Sequence, residues 1–259
     1  MNPKTAELLN LLLWSADLLA RPTVRNLTDS YEAWAYRQGL SRQLGRLEKK
    51  GLLENGSKDD DRIYRLTEHG RLSVLGGRDP EKQWARNWDG RWRLVLFDIP
   101  EVHGAQREKL RRYLRSRFFG CLQGSVWVSP DPLTMERETL ASGAINVNSL
   151  ILLEGNPCAG EKNIDLVSGA WDFEAINGGY TNHLEVLEQF PDESLSDPGA
   201  ARRLQRWAAA EREAWLAAVS KDPLLPRALL PEEYQGSRVW RRRIQVLRAA
   251  GELLQTFKM

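Results

Sequence analysis

The sequence predicts an α+β protein in three parts, and three observations predict it. A helical N-terminal stretch ends in a hairpin pattern, a middle stretch reads strand, helix, strand, strand, helix, strand, and two long helical runs close the chain. The size agrees, since 259 residues exceed a typical domain of about 150. With 42% hydrophobic and 28% charged residues, the composition excludes a disordered chain or a fibre. The expected units are a helical, hairpin-ended domain over 1–77, a linker over 78–92, a central domain over 93–160 and a mainly helical domain over 161–259.

The first helix follows from Leu8, Leu9, Leu12, Leu13, Ala16, Leu19 and Ala20 at three- and four-residue spacing, with Pro22 stopping the run. Asn10, Ser15 and Asp17 interrupt its apolar surface, and it is too short to span a bilayer core of about 30 Å, so no membrane is expected as a partner. It lacks the basic leader and cleavage site of a secretory signal, and two cysteines cannot build a disulfide framework; a reducing cytoplasm is expected. A second helix is predicted over Ser30 to Arg37, with Asp29 as N-cap. After Gly39 a third helix runs from Leu40 to Lys50, with Leu40, Leu44 and Leu47 on one stripe and Ser41, Arg42, Gly45, Arg46 and Lys49 opposite; Gly51 ends it. Leu52 to Glu54 then form a short apolar run, Asn55 to Asp61 a polar turn, and Arg62 to Leu66 an alternating strand, after which Thr67 caps another helix.

Helix, helix, glycine turn, basic helix and hairpin make a winged helix-turn-helix. That arrangement lays its third helix in the major groove of duplex DNA, where phosphate contacts fix the register and side chains read base edges. Arg42 and Arg46, one turn apart, suit this because a guanidinium forks onto guanine or phosphate. The candidate DNA-binding residues are Ser41, Arg42, Arg46 and Lys49 on the helix and Lys58 and Arg62 on the hairpin. An ordinary solvated basic face is the competing explanation, and Asp59 to Asp61 make the wing tip acidic.

Gly76 to Trp92 is turn-rich and aromatic and reads as a linker that packs onto something. Arg93 to Phe97 then form a strand closed by Asp98, Gln106 to Phe118 a basic amphipathic helix, Ser125 to Ser129 a strand, Thr134 to Ala141 a helix and Leu150 to Leu153 a strand. These are three strands and both helices of a strand, helix, strand, strand, helix, strand order, the ferredoxin-like sandwich. Cys121 beside a strand reads as core, and His69 and His183 as surface or core residues. Ala201 to Ser220 and Arg238 to Thr256 are helical, separated by a Pro-punctuated loop. Charge is uneven: 131–200 carries 2 basic against 13 acidic residues, while every other segment is basic, although the whole chain stands at only +2. The ten tryptophans supply material for aromatic cores and a dimer interface.

RWRLVLFDIPE, the following REKLRRYLR and GCLQGSVWVSP resemble the central domain of the PaaX family, repressors of phenylacetic acid catabolism in bacteria. WDFEAINGGY from Trp171 and DPLLPRALLP from Asp222 resemble that family's C-terminal domain, and the winged helix stands where the family has one. The resemblance implies a dimeric transcriptional regulator, not an enzyme, that binds a double-stranded DNA operator. It further implies release by a small-molecule effector, an aryl-acyl-CoA thioester in the founding members. Arg107, Arg111 and Arg115 recur every fourth residue; this stripe meets phosphates of a CoA-like effector, meets those of DNA, or pairs with the acidic segment after Asp131. No cofactor and no metal are expected. The central domain also resembles the endonuclease-type subunit of CRISPR spacer acquisition, which gives the alternative of a metal-dependent nuclease with Asp98, Glu101 and His103 as ligands. Against it, Asp98 reads as a cap of the turn before Pro100, without a second carboxylate cluster.

Overall fold

The computed structural model describes residues 40–58, 61–133, 136–142, 150–193 and 198–256. The first two predicted helices and the Asp29 cap lie outside these residues. The chain divides into two compact units, one formed by Met1–Asp79, Asn177–Ser220 and Gln235–Met259, the other by Pro80–Ile176 and Lys221–Tyr234.

In the first unit, α1 (Leu40–Lys49) leads to β1 (Leu53–Lys58), β2 (Asp61–Leu66) and α2 (Glu68–Val74). Gly51 adopts φ +67, where L side chains are disfavoured, and its N–H donates to the Glu48 carbonyl, so α1 ends as the sequence predicts. β1 and β2 pair antiparallel from Leu53↔Leu66 to Lys58↔Asp61. The strands therefore run through Asn55 to Lys58, which composition assigned to a turn. On a two-stranded ribbon the ladder bonds join backbone groups and do not require apolar side chains.

Three further helices complete this unit's described part: α7 (Phe173–Glu188), which begins in the other unit, α8 (Pro198–Val219) and α9 (Gly236–Thr256). Tyr180, Leu187, Leu204, Trp207, Trp215, Val239, Val246 and Leu247 are buried at helical spacing. Trp215 is the centre of the packing, with ring centroids 6.3 Å from Tyr180, 5.5 Å from His183 and 5.1 Å from Trp240.

In the second unit, α3 (Pro80–Ala85) lies within the predicted linker and buries Trp84, whose indole N–H donates to the Tyr234 hydroxyl at 3.1 Å. β3 (Trp92–Phe97), a 3₁₀ turn (Glu101–His103), α4 (Gly104–Ser116), β4 (Gly120–Gln123), β5 (Val126–Ser129), α5 (Glu136–Ser142), β6 (Leu150–Gly155) and α6 (Asn163–Ala170) follow. The sheet order is β4-β5-β3-β6 with every neighbouring pair antiparallel. This is the ferredoxin-like arrangement that the element order predicts.

Val95, Phe97, Trp127 and Leu150 from the sheet pack with Leu110 and Leu114 of α4 and Leu140 of α5. α4 ends two residues before the predicted boundary. Phe118 takes φ 62 and the Phe119 N–H returns to the Leu114 carbonyl at 3.0 Å, which closes the helix. Cys121 is exposed, not core: it sits on edge strand β4, where the register shifts between Cys121 and Gln123. On the sheet's opposite face the backbone at Gly120 approaches α6 so closely that an added Cβ would stand 2.6 Å from the Ala170 Cβ and 2.7 Å from the Trp171 ring. Arg93 is buried because its guanidinium is fully engaged, by Asp89, by Glu154 at 3.1 Å and by the Pro130 carbonyl at 3.1 Å. The hydrogen bond from Arg93 holds the Asp89 carboxyl below the usual carboxylate range.

Candidate nucleic-acid interface

α1 is amphipathic because its leucines recur at helical spacing: Leu47 is 0% exposed, while Arg46 and Lys49 face solvent. Ser41 and Arg42 lie on the same helix, Arg42 one turn before Arg46; their side chains fall outside those described. Lys58 is the last residue of β1, opposite Asp61, and Arg62 pairs with Ser57. The backbone thus brings four of the candidates onto one helix and two onto the adjoining hairpin.

Thr67 locks these pieces together. Its hydroxyl donates to the Gly51 carbonyl at 2.6 Å and accepts from the Gly70 N–H at 3.0 Å, while its own N–H donates to the Leu52 carbonyl at 3.1 Å. The end of α1, the exit of the hairpin and the start of α2 therefore meet at one side chain. A fixed angle between a reading helix and its wing is what a module that docks rigidly on a duplex requires.

Among the described residues an added Cβ at Gly45 would meet nothing within 4 Å. Packing against those residues therefore does not demand a glycine there. Gly45→Ala is expected to stabilise the fold by up to about 1 kcal/mol through helix propensity, read as a higher melting temperature. A lower one would show that the helix needs glycine for its own geometry.

The stripe on α4 is partly engaged. Arg111 donates to the Gly124 carbonyl at 2.9 Å, and Arg115 pairs with Glu108 on its own helix at 3.2 Å and lies 5.8 Å over the Trp127 ring. Arg107 makes no ion pair among the described residues. The acidic segment is reached from other positions, by Arg86 on Asp131 at 2.8 Å and Arg117 near Glu136 at 4.0 Å. Asp98, Glu101 and His103 are all exposed, and the Asp98 side chain makes no cap hydrogen bond, contrary to the expected turn cap; the 3₁₀ turn is closed by backbone instead, His103 N–H to Pro100 carbonyl. Among the described residues no three His, Cys, Asp or Glu gather as a metal site.

A buried ionic cluster had no counterpart in the sequence reading. Glu211, 0% exposed, accepts from Arg243 at 2.6 Å and faces His183 Nε2 at 3.0 Å. Burial pushes the Glu211 carboxyl up, but the Arg243 charge and the hydrogen bonds from His183 and Arg243 overcome this and hold its pKa at about 2. The signal was present: Glu211 lies four residues from both Trp207 and Trp215 on the apolar stripe of α8.

A helix, hairpin and helix followed by an antiparallel βαββαβ sheet and C-terminal helices define an α+β protein with a ferredoxin-like central domain. Residues 85–167 match the family model described as the PaaX protein central Cas2-like domain, so this part of the chain is similar to that domain. Of solved structures, the uncharacterized protein Rv0674 from Mycobacterium tuberculosis is similar over 95% of this chain and 94% of its own, at 22% identity and a TM-score of 0.55, which shows a shared fold. No curated protein matches the chain. No described helix is long and apolar enough to cross a membrane.

Proposed function

We propose that this protein is a sequence-specific DNA-binding transcriptional regulator, a repressor whose hold on a double-stranded operator is released by a small effector of the aryl-acyl-CoA type. The observation that carries the reading is α1, a helix with Leu47 buried and Arg46 and Lys49 exposed, tied through Thr67 to an antiparallel hairpin. The PaaX-type central domain supports a regulatory role in general, and such regulators are not enzymes. A homodimer suits the reading, because one winged helix offers limited contact and two half-sites about one helical turn apart match a two-fold pair. Within the stripe of Arg107, Arg111 and Arg115, Arg107 is the best placed to meet an effector phosphate, since Arg111 and Arg115 already hold protein groups.

Selection of genomic duplex fragments by the purified protein tests this. The expected result is enrichment of a few discrete sites, protected in footprinting and released by an aryl-acyl-CoA; uniform recovery of all fragments would contradict sequence-specific binding. The same incubation with Mg²⁺ or Mn²⁺ tests the nuclease alternative. Cleavage lost in Asp98→Ala would replace the regulator reading. Within it, Arg46→Ala is expected to weaken operator binding by about 1–3 kcal/mol for a lost base contact, or evenly across sequences if the residue meets phosphate.

A further inference from the structure

Between Gly236 and Ala250 helix α9 carries five arginines and no acidic residue, and Glu252 follows in its last turns. They divide sharply. Arg243 is 0% exposed, held by Glu211 through two hydrogen bonds and stacked 4.6 Å over the Trp215 ring, among the buried Val239, Trp240, Val246 and Leu247. This anchor fixes the rotation of the helix about its axis. Arg238, Arg241, Arg242 and Arg248 are exposed, and with Gln245 they are the exposed residues of that stretch, the others being buried or half-buried. Offsets of three, four and ten residues place them within an arc of about 120°, along about 15 Å of helix.

None of the four makes an ion pair among the described residues; Arg241 makes one bond, to the Ser237 carbonyl at 3.4 Å. Their mutual repulsion at three- and four-residue spacing costs a few tenths of a kcal/mol per pair. A row of guanidinium groups with no ion-pair partner among the described residues is suited to phosphate, because each offers a planar fork that matches phosphate oxygens. A lipid surface fits less well, since the exposed positions include no apolar side chain to enter it. We propose that this stripe of α9 binds the sugar-phosphate backbone of duplex DNA, supplying sequence-independent affinity beside the base reading by α1, which belongs to the same compact unit. The inference rests on the DNA-binding reading above.

The test uses the full chain and a labelled short duplex of scrambled sequence, titrated by fluorescence anisotropy between about 50 and 200 mM salt. The variant R238Q/R241Q/R242Q/R248Q is expected to lose at least about tenfold in affinity at the lowest salt. Its plot of log affinity against log salt should be shallower by about 0.9 for each phosphate contact removed. The corresponding lysine variant keeps the charge and should retain most of the slope, and circular dichroism melts should match the parent. An unchanged affinity and slope in the glutamine variant, with the parent binding well, would overturn the stripe and leave the regulator reading standing. Loss of binding to anionic vesicles with duplex binding intact would assign the stripe to lipid and overturn it equally. A parent chain that binds neither scrambled nor genomic duplex would remove both proposals together.

Discussion

Glu211→Ala is expected to destabilise the protein by about 3–5 kcal/mol, because it leaves the fully buried Arg243 guanidinium without its counter-charge. The cost is that of an unpaired buried ion, and the way to isolate it is to remove both charges. Glu211→Leu combined with Arg243→Met should recover most of the loss, since an apolar pair of similar volume avoids the desolvation that the ion pair suffers. The same carboxylate makes stability pH-dependent. Its pKa is about 2 in the folded chain against an ordinary 4.5, so the folded state binds the proton less readily than the unfolded one. The contribution is therefore fully present above about pH 4.5 and is lost as pH falls toward 2. Urea midpoints measured across that window should show a drop that the double variant lacks. A loss under about 1 kcal/mol in Glu211→Ala would mean the cluster is solvated in solution.

Trp92→Ala should cost the second unit a comparable amount, about 3–5 kcal/mol for an aromatic side chain removed from a closed site. Trp92 is 0% exposed at the start of β3, with rings 5.5 Å from Trp88 and 6.2 Å from Trp171, and its indole N–H donates to Asn163 at 2.9 Å. Strand, linker and α6 therefore meet on one residue. Trp92→Phe separates the terms: it keeps a ring but leaves the Asn163 carbonyl group unpaired, at about 1–3 kcal/mol. If calorimetry resolves two transitions, one of them should carry the whole change and the other none. Equal stability of Trp92→Ala and the parent would contradict the packing described for this unit.

The central sheet was legible because its strands alternate and its helices are amphipathic. Val95 and Phe97 point one way and Leu94 and Leu96 the other, and the element order leaves few topologies. Thr67 as a helix cap was legible from chemistry alone. The hairpin was half legible: Arg62 to Leu66 alternates, but Asn55 to Lys58 pairs with it through backbone bonds that leave no mark in composition. Cys121 misled because a small apolar residue on a strand reads as core, whereas its strand is an edge. The α4 arginines looked equivalent at four-residue spacing, and only their surroundings separate Arg111 and Arg115, which hold protein groups, from Arg107. The return of 221–234 to the second unit depends on contacts that no local pattern encodes. Asp222 is buried there with its carboxylate accepting from the Leu224 N–H at 2.7 Å and from the Tyr234 hydroxyl.

The central claim, that α1 reads DNA, is tested most directly by the ratio of affinities for a selected genomic site and its scrambled counterpart, measured for the parent and for Arg42→Ala combined with Arg46→Ala. The account predicts that the double variant, with an unchanged circular dichroism melt, loses about 2–6 kcal/mol of specific binding if both arginines contact bases, so that the ratio collapses toward one. An unchanged ratio in the folded double variant would contradict it.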